Sequence, residues 1–505
     1  MTQRRKFAVF GGLLLVMLMA TLDTQIVATA LPTIVGDLDG VGQIAWVTTA
    51  YLLPLAVTTP LYGKLGDQFG RKPVLLFAIG CFLAGSVACG AAQSMGQLIA
   101  FRAMQGIGGG GLMASGFALL GDLFEPRERA RYQGYSAAVF LVSSTGGPLV
   151  GGVVTEHIGW RWVFYLNLPL GIAAIAVIGA LLVLPHPAYQ AGRPSIDYPG
   201  ALLLGGAVTC LVLLTGWAGT RYAWSSPTIV ALGAGAVVLL VSWMLVERSA
   251  AEPIIPPRLF ADRTFTLTIA VAVISGFTTL GLVQYQVLFL QNAAGATPTQ
   301  AGLLVLAGTL GMVAASMGAG RVISRTGRYT WAPVASMALG AVATYLLSTM
   351  TAGTSWLVIG IYLLMAGLGG GFAQQVVTLI AQNAAPGRDL GVATSTVNFA
   401  RMVGSSLGLA VFGAILGARL ASAASITPQR LHALPVAARH EVAQAYADAL
   451  SAVFLAAVPV LLAGLLAALL LPNLPLRGND DAAGEPADDE ATAPGGDETA
   501  RAAST

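Results

Sequence analysis

Fourteen stretches of roughly 20 apolar residues follow one another along this chain, and no other feature limits its fold so tightly. They lie near 8–30, 46–63, 74–92, 97–120, 132–154, 163–184, 199–217, 227–246, 265–290, 301–323, 331–350, 355–379, 390–417 and 446–471. A run of that length crosses a bilayer as one helix, because lipid offers an open backbone no hydrogen-bond partner. Composition agrees. With 56% hydrophobic and 10% charged residues and a mean hydropathy of +0.75, 505 residues cannot cover a water-soluble surface. The expected fold class is an all-α membrane protein. The first stretch follows Arg4, Arg5 and Lys6, as a signal peptide would, but it is too long and lacks a small-residue cleavage site, so it is kept as a helix.

Assigning alternate loops to one side gathers most of the Lys and Arg there, among them Arg4, Arg5, Lys6, Lys64, Arg71, Lys72, Arg193, Arg321, Arg328 and Arg477. The other side receives Arg161, Arg221, Arg419, Arg430 and Arg439. The richer face is expected to be cytoplasmic, with both termini on it, in a multi-pass protein of the cytoplasmic (inner) membrane. Cys81, Cys89 and Cys210 sit in apolar runs without ligand spacing, so neither a disulfide framework nor a metal site is expected.

The chain repeats itself at an offset of 257 residues. Gly63, Lys64, Gly70 and Arg71 fall on Gly320, Arg321, Gly327 and Arg328, and Gly147 and Gly151 fall on Gly404 and Gly408. Two homologous six-helix halves explain this, with residues 1–184 and 263–477 as the bundles. Residues 185–262 then supply two additional helices and a Pro-rich linker. Residues 478–505 form an acidic tail too poor in apolar groups to fold. Loop 418–445 is expected to be external, with an amphipathic piece near His440–Tyr446 on the membrane surface. Paired halves of this kind point to a transporter that rocks one bundle against the other.

Two charges inside apolar runs carry the functional reading. Asp23 stands in the first, and an intramembrane carboxylate costs ~2.5–3.5 kcal/mol or more on insertion scales. The reading that follows is a proton or ion site. The structural alternative is a cap on a broken helix, or a permanent partner for an Arg. Arg102 lies in FRAMQGIGGGG of the fourth span. An arginine stays protonated, so it biases a nearby acid and does not relay the proton itself; snorkelling to the boundary is the alternative.

Three motifs concern movement. GKLGDQFGRK is a short turn in which Gly63 and Gly70 permit reversal, while Asp67 can pair with Arg71 or sit at a neighbouring helix N-terminus beside Lys72. This cluster reads as a conformational latch. In the fifth span, SSTGGPLVGG brings Gly147, Gly151 and Gly152 for close helix approach and Pro148 for a bend. FARMVGSSLG places Arg401 near a membrane helix.

Taken with LDTQIVATALP, WRWVFYLNLP and DYPGALLL, these motifs resemble those of the major facilitator superfamily, and within it the fourteen-span drug/proton antiporters, over residues 5 to 475. The resemblance implies a major facilitator fold of two six-helix bundles plus two central helices. It also implies that Arg102 belongs to a proton-transfer motif, that Gly147 to Gly152 mark the antiporter branch, and that the first, fourth, ninth and twelfth spans line a central cavity. Candidate lining residues are then Gln25, Gln105, Gln284, Tyr285, Tyr362, Met365, Phe372 and Gln374, amides and large adaptable side chains suited to bulky amphipathic molecules. The second copy of the latch has Ser324 in place of an acid, and Asp23 is the only deep carboxylate.

The function implied is proton-coupled export of drug-like compounds by alternating access. The alternative is a dedicated exporter of one endogenous metabolite or antibiotic. Protons are the coupling ion, and no cofactor is expected. The partners are lipophilic small molecules and membrane lipid, not nucleic acid; the oligomeric state is left open, a monomer included. No HExxH, G-x-S-x-G or Walker A motif is present, which argues against an enzyme or an ATP-driven pump.

Overall fold

The structure is a computed structural model that describes residues 3–38, 43–183, 197–218, 221–250, 252–419 and 436–472. The acidic tail, residues 420–435 of the long loop, Arg193, Arg430 and Arg477 lie outside them. The described residues form fourteen long helices: α1 (Gln3–Asp37), α2 (Ile44–Phe69), α3 (Arg71–Gly90), α4 (Met95–Leu123), α5 (Pro126–His157), α6 (Arg161–Leu181), α7 (Tyr198–Trp217), α8 (Pro227–Ser249), α9 (Arg263–Asn292), α10 (Pro298–Thr326), α11 (Trp331–Ser348), α12 (Trp356–Ala384), α13 (Leu390–Arg419) and α14 (Val436–Leu469).

Among the described residues twelve of these are long and apolar enough to cross a membrane by themselves. The two expected spans that fall short are α2 and α4. Both are long enough, 26 and 29 residues, at about 1.5 Å per residue. In α4 the apolar character is diluted by a run of glycines that serve helix packing. Gly106 and Gly110 of α4 lie against the backbone of α2, and Gly108 against that of α3, so added side chains would push these helices apart. His440–Tyr446 is not a separate surface helix; it forms early turns of α14.

Local chemistry sets the ends and breaks. Gly70 has φ +89°, which allows α2 to reverse into α3 without an intervening loop. Asp197 of DYPGALLL caps α7 by accepting from the Gly200 N–H at 2.9 Å, with Pro199 in the first turn, where its missing donor is not needed. Helix α9 widens into a π turn at Gly276–Leu280, and α12 is irregular at Gln374–Gln375. The carbonyls of Val273 and Phe277 around that π turn meet Gly404 and Gly408 of α13.

The first six helices enclose one core, in which Phe10, Phe124 and Tyr132 stack edge and face. The last six enclose another around Phe289, Phe412 and Phe454. Two seams join the halves. Gly134 and Ala130 of α5 face Ser316 and Gly320 of α10, and Gly63 of α2 faces Gly391 and Ser395 of α13. The pair α7 and α8 lies over the second seam. Leu204 and Val208 of α7 pack with Ala56 of α2, Phe399 of α13 and Ile254 and Ile255 of the linker. That linker is therefore packed, with both isoleucines buried.

Candidate functional site

Asp23 and Arg102 meet. Arg102 Nη1 donates to Asp23 Oδ2 at 2.6 Å, and the two residues are 1% and 2% exposed. Snorkelling is thereby overturned: the guanidinium stays inside the bundle because its counter-charge is there. The same Nη1 donates to Gln105 Oε1 at 2.6 Å, Nε points to the Val47 carbonyl at 3.4 Å, and the Tyr51 ring lies 4.2 Å beneath the guanidinium carbon. The other carboxylate oxygen accepts from Gln105 Nε2 at 2.8 Å and Asn167 Nδ2 at 2.9 Å. Ser86 Oγ accepts from the same two amides, at 2.7 and 3.2 Å. Side chains from α1, α2, α3, α4 and α6 thus converge on one ion pair. A buried pair is tolerable only with such satisfaction, since breaking one leaves an uncompensated charge worth ~3–5 kcal/mol.

Ser86, Tyr51 and Asn167 were not singled out from sequence. Asn167 lies inside WRWVFYLNLP, and that motif was its one signal. Its opening residues act elsewhere, since Trp160 Nε1 and Arg161 Nη1 each donate to Asp37 Oδ2 at 2.9 Å and tie α6 to α1. The Trp160 bond first, then Arg161, holds the Asp37 carboxyl below its usual range.

The motif expected to be a turn is helical from Gly63 to Phe69, so Gly70 alone reverses the chain and Gly63 serves contact with α13; its charged residues do both things open to them. Asp67 Oδ1 pairs with Arg71 Nη2 at 2.6 Å, and Arg71 Nε reaches Asp122 Oδ2 of α4 at 2.6 Å. Asp67 also accepts from the backbone N–H groups of Gly391 (3.1 Å) and Val392 (2.9 Å), capping α13 from the opposite half. Lys72 Nζ donates to the carbonyls of Gly179 and Leu182 at the end of α6. At the same latch end, Arg129 Nη1 and Gln133 Nε2 of α5 donate to Gln382 Oε1 of α12, at 3.3 and 3.1 Å. The two halves are closed there.

Away from the latch end, a cavity of about 390 Å³ opens between them, walled mostly by α9, α10, α11 and α12 and reached by Gln25, Phe140 and Ser144 of the first half. Of the candidate lining residues, Gln25 and Gln284 face it. The others do not, for identifiable reasons. Gln105 is spent on Asp23. The Tyr285 hydroxyl donates to the Leu409 carbonyl at 2.9 Å within the second core. Phe372 packs on Trp331, and the Gln374 carbonyl accepts from Arg401. Tyr362 leans on the core of the second half, and Met365 is partly exposed outside the cavity wall. Residues 23 and 25 are two apart, about 200° around a helix, so Asp23 faces the first bundle's interior while Gln25 faces the cavity. Among the antiporter-motif residues, Gly147 lies against Gln25 and Gly151 against Ile26; Pro148 stays within α5, and Gly152 has open space beside it.

Two helical halves closed at one end around a central cavity, with a buried ion pair inside one bundle, define a membrane transporter and not an enzyme. The Major Facilitator Superfamily pattern matches residues 13–409. The chain is 42% identical over 493 residues to an uncharacterized MFS-type transporter of Mycobacterium tuberculosis, covering 95% of this chain and 71% of that one. It is 35% identical over 417 residues to the multidrug transporter protein MdtP of Bacillus subtilis, covering 83% and 76%. The solved structure of the proton:xylose symporter XylE shares the fold, with a TM-score of 0.61 at 13% identity over 96% of this chain and 99% of that one. This chain belongs to the major facilitator superfamily.

Proposed function

We propose that the protein is a proton-coupled antiporter that exports drug-like amphipathic compounds across the cytoplasmic membrane, with the latch end and both termini in the cytoplasm. The observation that carries the reading is the Asp23 to Arg102 pair, an ionisable group enclosed at membrane depth by Gln105 and Asn167. Lipid-buried carboxylates mark ion and proton paths. Relatives named as multidrug transporter and efflux pump support the direction and breadth of transport.

In the state seen, Arg102 and the two amides occupy both carboxylate oxygens of Asp23. Taking a proton requires the pair to part, so protonation belongs to a different arrangement of α1 and α4. Cargo and proton sit on opposite faces of α1, and their exchange is therefore coupled through the helix, not by contest for one atom. Gly147 against Gln25, 2.5 Å from an added Cβ, makes α5 move with α1. Release of Asp67 from Gly391 and Val392 then opens the cytoplasmic side.

The test is dye efflux from cells expressing the protein. Efflux should stop when a protonophore collapses the gradient, and Asp23→Asn should abolish drug-dependent proton movement in vesicles while Asp23→Glu keeps a fraction. Undiminished proton movement in the Asn variant would place the coupling on another group.

A further inference from the structure

We propose that Arg401, with Asn398 one turn before it on α13, is the recognition point for an anionic group, a carboxylate or sulfonate, on the exported molecule. This rests on the exporter reading above and names its cargo class.

Arg401 is 8% exposed and sits inside the second half. Its Nη2 donates to the Gln374 carbonyl, and its Nε has no hydrogen-bond partner. Among the described residues no carboxylate pairs with it. The other deep guanidinium, Arg102, is matched by an acid, one amide and an aromatic face. Arg401 has none of these, and a lone buried charge is unfavourable unless something neutralises it. A single bond to a carbonyl does not require a charge.

Its position fits a ligand. Thr278, Thr279 and Gly370 line the cavity. One turn nearer the latch end on the same two helices, the Arg401 backbone touches Gly276 and its side chain reaches Gln374. Arg401 therefore lies just beyond the cavity floor, in the part of the path that the latch closes. Asn398 Nδ2 is a second buried donor without a partner, three residues earlier and so on the same face of α13. Two unsatisfied donors, with no carboxylate paired to them, beside a cavity lined by neutral Gln, Ser and Thr give an anion its counter-charge and give a cation none. The Asp23 charge is already matched by Arg102 and offers no attraction.

The experiment titrates purified full-length protein with three dyes, anionic 5-carboxyfluorescein, uncharged Nile red and cationic ethidium, and follows fluorescence anisotropy. The wild type should bind carboxyfluorescein saturably. Arg401→Gln should weaken that binding at least about tenfold, as expected for loss of a charge-assisted hydrogen bond, and leave Nile red within about twofold. Arg401→Lys, which keeps the charge without the fork, should fall between, and Asn398→Ala should lose less than Arg401→Gln. Absence of saturable carboxyfluorescein binding, tighter binding of ethidium, or equal weakening of all dyes in Arg401→Gln overturns the assignment. Proteoliposome flux separates the two readings: carboxyfluorescein that binds through Arg401 but does not move with a proton gradient sinks the antiporter and leaves the anion site standing.

Discussion

Asp67 Oδ2 accepts a 2.9 Å hydrogen bond from the backbone N–H of Val392, so a carboxylate of the first half caps a helix of the second. The two residues are 325 positions apart in the chain. The bond exists only while the halves are closed at that end, which makes it a reporter of state.

Asp67→Ala should loosen that closure. It removes the hydrogen bonds to the Gly391 and Val392 N–H groups, a loss of ~1–2 kcal/mol, or about 5- to 30-fold more of the open form. Distances between spin labels on the latch-end turns of α3 and α13 would measure it. No change in the distance distribution would contradict the latch.

The same contact carries a pH dependence. Asp67 lies beyond the apolar run 46–63, and burial pushes its carboxyl from 3.8 up to about 6, with Arg71 and the N–H groups of Val392 and Gly391 pulling down. Asp122, facing the same Arg71, is raised by burial too. A raised value means the closed state holds the proton more tightly than an exposed Asp67 would. Closure therefore gains on acidification from about pH 6 toward 4 and is indifferent above that window. Label distances recorded from pH 7.5 to 5 should shift toward the closed form in the wild type, and less in Asp67→Asn. The opposite slope refutes this.

The antiporter-motif glycines should separate. A Cβ on Gly147 would meet Gln25 Cβ at 2.5 Å, and one on Gly151 would lie 3.0 Å from the Ile26 carbonyl, while Gly152 has nothing within 4 Å. Gly147→Ala and Gly151→Ala should each cost ~1–3 kcal/mol by overpacking. Gly152→Ala should be neutral or slightly stabilising. Thermal unfolding of the three purified variants decides, and equal effects would mean that the α1 to α5 contact is not the constraint.

Asn167→Leu should leave Asp23 and Ser86 one donor short at a cost of ~1–3 kcal/mol, seen as a lower Tm and loss of gradient-driven efflux. Gln25→Ala should behave differently, because it faces the cavity. It should change KM for dyes severalfold while proton movement per dye is kept. Loss of coupling in Gln25→Ala would place proton and cargo on one face after all.

Much of this was legible in the sequence for a physical reason: a charge in an apolar run has few ways to exist. Asp23 and Arg102 announce each other, and the basic turn announces its acid. Ser86 and Tyr51 announce nothing, and Asn167 only through the motif that holds it, since small polar and aromatic residues are ordinary in membrane helices. The cavity wall was harder still. A span of known length has no known rotation, so Tyr285 and Phe372, which point into packing, could not be told from Gln284, which does not. Helix α4 shows the converse, where glycines needed for contact lower the very signal that marks a span.

The pair α7 and α8 covers the boundary between α2 and α13, while among the described residues the boundary between α5 and α10 has no such cover. On the exporter reading proposed above, a cargo molecule dissolved in the surrounding leaflet would meet the α2 to α13 flank walled off by the inserted pair.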